Sequence, residues 1–363
     1  MTSINQQDKF QSPFVTYNSV VTGATADNEL TRSMTILRNE GINPLVVMEI
    51  TSESDGVLCG VTEIHTWLRD WLFSLPKNSR GLWSVQEGSD IYKGEVVVRI
   101  VGPYASFGLY ETAILGSLSS SSGWASAAKE CVKAANDIPI VCMGARNVHP
   151  QVVGVMDYSA RIGGCAATST AVGSDLHGGT PSGTMPHSMI LLFGDTLRAV
   201  LAFDKHMAAD VPRVALVDTF RDEGQESVEI ARSLKRKLRG IRLDTPKERG
   251  GVTPSMVFEI QSRLRNEGFD NVDIYVSGGL NPERIKEFVD SGAPVIGFGV
   301  GNYISAASPL SFTADIKAIQ SDKVKFDNSN IDDIDQVMES FIPISKRGRL
   351  PGITENNKLI RLF

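Results

Sequence analysis

From about residue 138 the chain alternates short apolar runs with segments whose apolar residues recur every three or four positions. The runs at 140–143, 213–217, 240–243, 272–276 and 295–298 predict strands. Three of them end in polar or glycine clusters: VDTF (217–220), RLDTP (242–246) and VSGGL (276–280). Helix starts follow at once. Thr253-Pro254 and Asn281-Pro282 each set a capping side chain before a proline suited to the first helical position. After the second, Ile285, Phe288 and Val289 fall on one face while Glu283, Lys286 and Glu287 fall on the other, and Gly292 supplies a left-handed stop. Repeated strand–helix units build a parallel sheet, and several in succession favour a closed barrel over a doubly wound sheet. Either way, chemistry belongs at the carboxyl ends of the strands.

The first ~110 residues do not alternate in this way. Helices are predicted at 30–40 and at 63–74 around Trp67 and Trp71, with strands at 44–50 and 94–100, which reads as a separate α/β domain. The serine run 119–122 lies between two helical patterns, 111–118 and 124–135, and reads as small residues in a packed helical connection. The expected division is an N-terminal α/β sandwich domain over 1–115, joined by residues 312–363, and an α/β barrel domain over 116–311.

Composition narrows the function classes. Of 363 residues, 42% are apolar and 21% charged, which is a globular balance. A net charge of −6 speaks against nucleic acid and anionic membrane as partners. The stretch before Val15 lacks an apolar core with basic flanks, and the most apolar segment, 189–203, is broken by Asp195 and Arg198. A cytoplasmic protein is expected. The four cysteines form no C-x-x-C pair, consistent with free thiols in a reducing compartment.

The candidate chemistry sits where strands end. Ser277-Gly278-Gly279 precedes the capped helix at Asn281, so backbone N–H groups and a helix amino end can meet an anion. One strand later comes Gly297-Phe298-Gly299-Val300-Gly301. Barrels often hold a phosphate between the loops of their last two strands, although either cluster alone could be an ordinary turn. The spacing matches neither a dinucleotide fingerprint nor a Walker loop. Asp218 and Asp244 both end strands, which brings two carboxylates to one mouth. They can bind sugar hydroxyls or hold Mg²⁺ on a polyphosphate; capping or surface pairing is the plain alternative. Arg242 points the same way as Asp244 by alternation. Arg146 and His149, in GARNVHP (144–150), suit a carboxylate or phosphate. Thr184 and His187 lie in GTMPHS (183–188), expected to end another strand and begin a helix.

Taken together, YETAILG (110–116), GARNVHP, GTMPHS, VDTF, RLDTP, SGGL (277–280), GFGVG (297–301) and SKRGRLPG (345–352) resemble the nicotinate phosphoribosyltransferases, especially their shorter archaeal and bacterial branch. The resemblance spans roughly residues 25 to 353. It implies a type II phosphoribosyltransferase fold, with an α/β sandwich on an irregular α/β barrel, and homodimers whose site the neighbouring subunit completes. It implies that nicotinate and 5-phosphoribosyl-1-pyrophosphate give nicotinate mononucleotide and pyrophosphate in NAD salvage. By motif, Ser277, Gly278, Gly279, Gly299 and Gly301 would hold the 5-phosphate. Asp218 and Asp244 would face the ribose and Mg²⁺. Arg146 would bind the nicotinate carboxylate, with Thr184 and His149 lining the pocket. His187 falls where ATP-coupled members carry a phosphorylated histidine, leaving ATP coupling open. A type I enzyme needs two adjacent acids at a strand end, and Asp332-Asp333 lacks that context.

The chain departs from the family pattern in two places. Glu29 stands where members carry a tyrosine that stacks on the pyridine, and Asn147 where many carry a second arginine. A different acceptor, or a paralogue that binds a phosphosugar without turnover, are therefore the rival expectations.

Overall fold

The computed structural model describes residues 12–72, 74–76, 79–320, 341–354 and 356–362. The Asp332-Asp333 pair and the stretch 1–11 lie outside these. The strands, in chain order, are β1 (Leu45–Ser52), β2 (Gly56–Val57), β3 (Gly81–Ser84), β4 (Asp90–Ile91) and β5 (Val96–Pro103). Then come β6 (Ile140–Cys142), β7 (Ala167–Thr168), β8 (Arg213–Val217), β9 (Leu238–Leu243), β10 (Asp273–Ser277) and β11 (Gly297–Val300). Three more follow: β12 (Phe312–Gln320), β13 (Phe341–Pro343) and β14 (Ile360–Arg361). The chain divides into two compact units, one running to Ser126 and resuming at Ser308, the other Ala127–Ala307.

In the first unit six strands pair in the order β13-β12-β1-β5-β3-β14, antiparallel throughout. β1 reads LVVMEITS and β5 VVVRIVGP; both are buried almost end to end, which β-branched runs favour. Helix Val61–Leu72 lays Ile64, Leu68 and Leu72 on the sheet beside Ile50, Leu82 and Ile100. Each such side chain contributes about 1.5–3 kcal/mol by leaving water. The two charges in these runs face each other across the ladder: Glu49 pairs with Arg99, and Nε donates to Oε1 at 2.7 Å. By contrast, helix Asn28–Asn39, which carries Glu29, buries none of its residues within the chain.

The second unit holds a parallel six-stranded sheet in the order β7-β6-β11-β10-β9-β8. All six carboxyl ends therefore share one edge. Among the described residues no ladder joins β7 to β8. The predicted caps form: Thr253 Oγ1 accepts from Met256 N at 3.2 Å and Asn281 Oδ1 from Arg284 N at 2.9 Å, each ahead of its proline. Ile285 and Phe288 are fully buried, and Gly292 adopts φ 68°. The two helical patterns flanking the serine run are one helix, Glu111–Ala135, with Ser121 and Ser122 buried inside it.

One expectation is corrected. GTMPHS does not end a strand, because the preceding strand is the two-residue β7 and residues 178–186 run without regular structure to helix His187–Phe193. Gly178, Gly179, Pro181 and Gly183 deny that stretch both side-chain packing and a full set of donors. Among the described residues no helix is long and apolar enough to cross a membrane.

Candidate active site

β8 and β9 are adjacent, and their ends place Asp218 and Asp244 together. Asp218 Oδ2 accepts the Asp244 backbone N–H at 2.9 Å. The Asp218 backbone sits at φ 127°, a region that side chains rarely adopt, and Glu226 Oε2 accepts its N–H at 3.3 Å. Glu226 is itself buried and accepts from Thr196 Oγ1 at 2.7 Å. A buried acid thus steadies a strained one. Asp218 Oδ1 is buried with no hydrogen-bond partner. Burial first, and the neighbouring carboxylates Asp244 and Glu223 after it, push the Asp218 carboxyl up to about 7, against the backbone hydrogen bond and Arg242.

His187 opens its helix at the same mouth. Nδ1 lies 3.1 Å from Thr219 Oγ1 and 3.7 Å from Asp218 Oδ1, and Nε2 lies 3.4 Å from Asp244 Oδ2. The ring is accordingly set between the two acids. Arg242, on β9, donates from Nη2 to Met185 O at 3.3 Å, while its Nε is buried and unpartnered. Burial lowers its affinity for a proton, with Asp244 and Asp218 acting the other way. Thr184 Oγ1, beside Met185, is also buried without a partner. An oxygen, a guanidinium nitrogen and a hydroxyl are thus left unsatisfied around one opening. Folded proteins seldom tolerate this unless a ligand or water completes the bonds.

The two glycine clusters are neighbours, since Ser277 and Gly299 are register partners on β10 and β11. Gly278 and Gly279 adopt φ 93° and 62° in succession. A Cβ on Gly278 would sit 2.7 Å from Asp244 Oδ1, so this turn abuts the acidic pair directly. Among the described residues neither Gly278 N–H nor Gly279 N–H donates to a protein acceptor. Lys247 lies alongside, its Cε 2.9 Å from where a Gly279 Cβ would be. Ser277 Oγ instead donates to Leu243 O at 3.3 Å, and Gly299 lies inside its strand against Met143 Sδ and Ser277 Cβ. Gly301 opens the turn beyond β11.

Arg146 and His149 follow β6 on the exposed turn that starts at Gly144. His149 Nδ1 accepts from Gln151 N at 3.2 Å. Arg146 is close enough to Arg242 to bias its charge. Glu29 belongs to the first unit and is exposed. Sequence reasoning missed Thr219, Glu226 and Lys247; a threonine directly after a strand-ending aspartate was the available signal for the first. Among the described residues no group of three or more His, Cys, Asp or Glu is placed to hold a metal. All four cysteines are buried and free, with burial pushing Cys131 and Cys142 up to about 12.

Comparison with known proteins places this geometry in a family. The model of the quinolinate phosphoribosyl transferase N-terminal domain matches residues 29–122, and that of the C-terminal domain matches 124–315. A nicotinate phosphoribosyltransferase of Mycobacterium tuberculosis is 30% identical over 229 residues, 62% of this chain and 48% of the relative. The chain spans about half the length of the curated relatives it matches. Among solved structures, a nicotinate-nucleotide pyrophosphorylase from Pyrococcus furiosus superposes with a TM-score of 0.80 at 36% identity, covering 98% of this chain and 86% of that one. A human nicotinic acid phosphoribosyltransferase shares the fold at TM-score 0.67 and 16% identity, covering 81% of this chain and 74% of that one. A mixed α/β fold of the type II phosphoribosyltransferase kind, with a family model covering more than half its length, means that the chain belongs to the quinolinate/nicotinate phosphoribosyltransferase family.

Proposed function

We propose that the protein transfers the phosphoribosyl group of 5-phosphoribosyl-1-pyrophosphate to nicotinate, giving nicotinate mononucleotide and pyrophosphate. The observation that carries this is the set of buried, unsatisfied atoms at one mouth, Asp218 Oδ1, Arg242 Nε and Thr184 Oγ1, beside a glycine turn with free N–H groups.

In this reading the Gly278–Gly279 N–H groups and the Gly301 turn receive the 5-phosphate, with Lys247 adding a cation. Asp218 and Asp244 face the ribose hydroxyls. They are also the groups that would hold Mg²⁺, and the fit is good: both are hard oxygen donors, and one of them, Asp218 Oδ1, is buried without a hydrogen-bond partner. Held there, such an ion would supply positive charge toward the pyrophosphate. Arg146 receives the nicotinate carboxylate, and the pyridine nitrogen attacks C1 of the ribose. The C1–oxygen bond breaks with its electron pair leaving on pyrophosphate. No proton need move, so holding the reactants in line and stabilising charge account for the catalysis. The few cations at the mouth, Arg146, Arg242 and Lys247, suit one acceptor carboxylate plus the donor phosphates better than a dicarboxylate. A cytoplasmic homodimer belongs to the same proposal, and light scattering of the purified protein checks the dimer.

The deciding experiment incubates the protein with donor, Mg²⁺ and, separately, nicotinate, quinolinate and nicotinamide, and measures pyrophosphate release. Release with nicotinate supports the reading. Release only with quinolinate or nicotinamide reassigns the acceptor, and no release with any of them overturns phosphoribosyl transfer. Coupling to ATP is tested by searching for a phosphohistidine. Its loss in His187→Ala supports coupling, and an unchanged ATP response clears His187 of that part.

A further inference from the structure

The geometry points to Asn147 and Asn302 as a pair of positioning residues that locks the acceptor-binding turn to the phosphate-binding turn; this rests on the phosphoribosyltransferase reading above. The two residues are far apart in sequence, yet Asn147 Nδ2 donates to Asn302 Oδ1 at 2.9 Å. Asn147 directly follows Arg146, in the single 3-10 turn Ala145–Asn147 closed by Asn147 N donating to Gly144 O at 2.9 Å. Asn302 directly follows Gly301, opening the short helix Asn302–Ser305.

Three further contacts make the link stiff. β6 and β11 are hydrogen-bonded neighbours, so the turns leave adjacent strands. At Gly144 the turns meet backbone to backbone, because a Cβ there would lie 2.8 Å from Ser305 Cβ and 3.2 Å from Gly301 O. Behind Asn302, Tyr303 donates its hydroxyl to Glu130 Oε2 at 2.5 Å, which ties the same short helix to the long one. Arg146 itself is exposed, and the turn that carries it sets where its side chain leaves the backbone. The pyridine nitrogen must lie in line with C1 while one reactant is held by the 145–147 turn and the other by the 301 turn. The distance between these turns therefore governs the reaction, and misplacement by about 1 Å costs on the order of 100-fold. The asparagine bridge holds that distance together with the β6–β11 pairing and the Gly144 contact. It also makes binding synergistic, since a phosphate that orders the 301 turn orders the arginine too.

The test is a double-mutant cycle with Asn147→Ala, Asn302→Ala and both together. Each single variant is expected to raise the KM for nicotinate about 5-fold, to lower kcat about 10-fold and to remove the dependence of nicotinate KM on donor concentration. The double variant should be no worse than either single one, because one bond is removed in all three. Tyr303→Phe should move the same parameters in the same direction, less far. Multiplying effects in the double variant, or unchanged kinetics in single variants with only a lowered Tm, would overturn the pair's role. Should the wild type release no pyrophosphate with any acceptor, it is the functional reading that fails, and this inference falls with it.

Discussion

Two buried acid–arginine neighbourhoods in this protein are built to opposite ends. In the antiparallel sheet Glu49 and Arg99 are cross-strand partners, both about nine-tenths buried, and they satisfy each other at 2.7 Å. At the mouth of the parallel sheet Asp218 is buried and Arg242 half-buried, yet Oδ1 of one and Nε of the other are buried atoms with no hydrogen-bond partner. The first pair closes on itself and is finished. The second two groups are left open, with Asp218 held in a strained backbone and its proton retained to about 7. A buried ion pair whose bonds are complete serves the fold, whereas buried polar groups whose bonds are incomplete mark a place where something else binds.

That contrast can be broken by substitution. The largest effect expected is on turnover: Asp244→Asn should lower kcat by at least about 1,000-fold with little change in Tm, since it disturbs charge at the reacting centre. If that variant keeps its rate, the open site is not where chemistry occurs. Next comes the closed pair. Arg99→Ala should cost about 3–5 kcal/mol by chemical denaturation, because it strands a buried carboxylate, and leave the kcat of the folded fraction unchanged. Parity of the two variants in both measurements would erase the distinction.

A smaller effect concerns pH. The folded Asp218 carboxyl holds its proton more tightly than it would in the unfolded chain, where its ordinary value is 3.8. Protonation therefore favours the folded state. This contribution is complete below about pH 4 and is lost as pH rises through about 7. Asp218→Asn should flatten the fall in denaturation free energy between these limits, and an unaltered slope would show that the carboxyl is not held protonated. The smallest effect separates neighbouring glycines. Gly278→Ala meets the rigid Asp244 carboxylate at 2.7 Å, while Gly279→Ala meets the movable end of Lys247 at 2.9 Å. The first should raise donor KM about 10-fold, the second by about 3-fold or less, each adding roughly 1 kcal/mol of backbone strain.

Much of the parallel unit was legible because its strands are short apolar runs closed by polar residues or glycines, and two of its helices announce themselves with a cap and a proline. β7 escaped, since two residues of Ala-Thr carry no periodicity. Strands β12 to β14 escaped too; FTADIKAIQ alternates weakly, and its pairing with β1 joins residues 312–319 to 46–52, a relation no local pattern encodes. At the site, Asp218, Asp244 and the Gly278 turn were readable from strand ends. Glu226 was not, because an acid in the first turn of a helix looks like an ordinary dipole partner until burial reveals it under Asp218. Asn302 was hidden for the same kind of reason, its partner being supplied by a different strand loop.

The boundary between the two units falls inside helix Glu111–Ala135, next to Ser126. Anyone wishing to express either half alone has no hinge at which to cut there: scission at that point severs successive i to i+4 hydrogen bonds and strips Val57 N–H of its acceptor, Ser126 Oγ at 2.8 Å, whenever the break falls before that serine. Fragment boundaries for crystallisation or binding work are better drawn at one end of the helix.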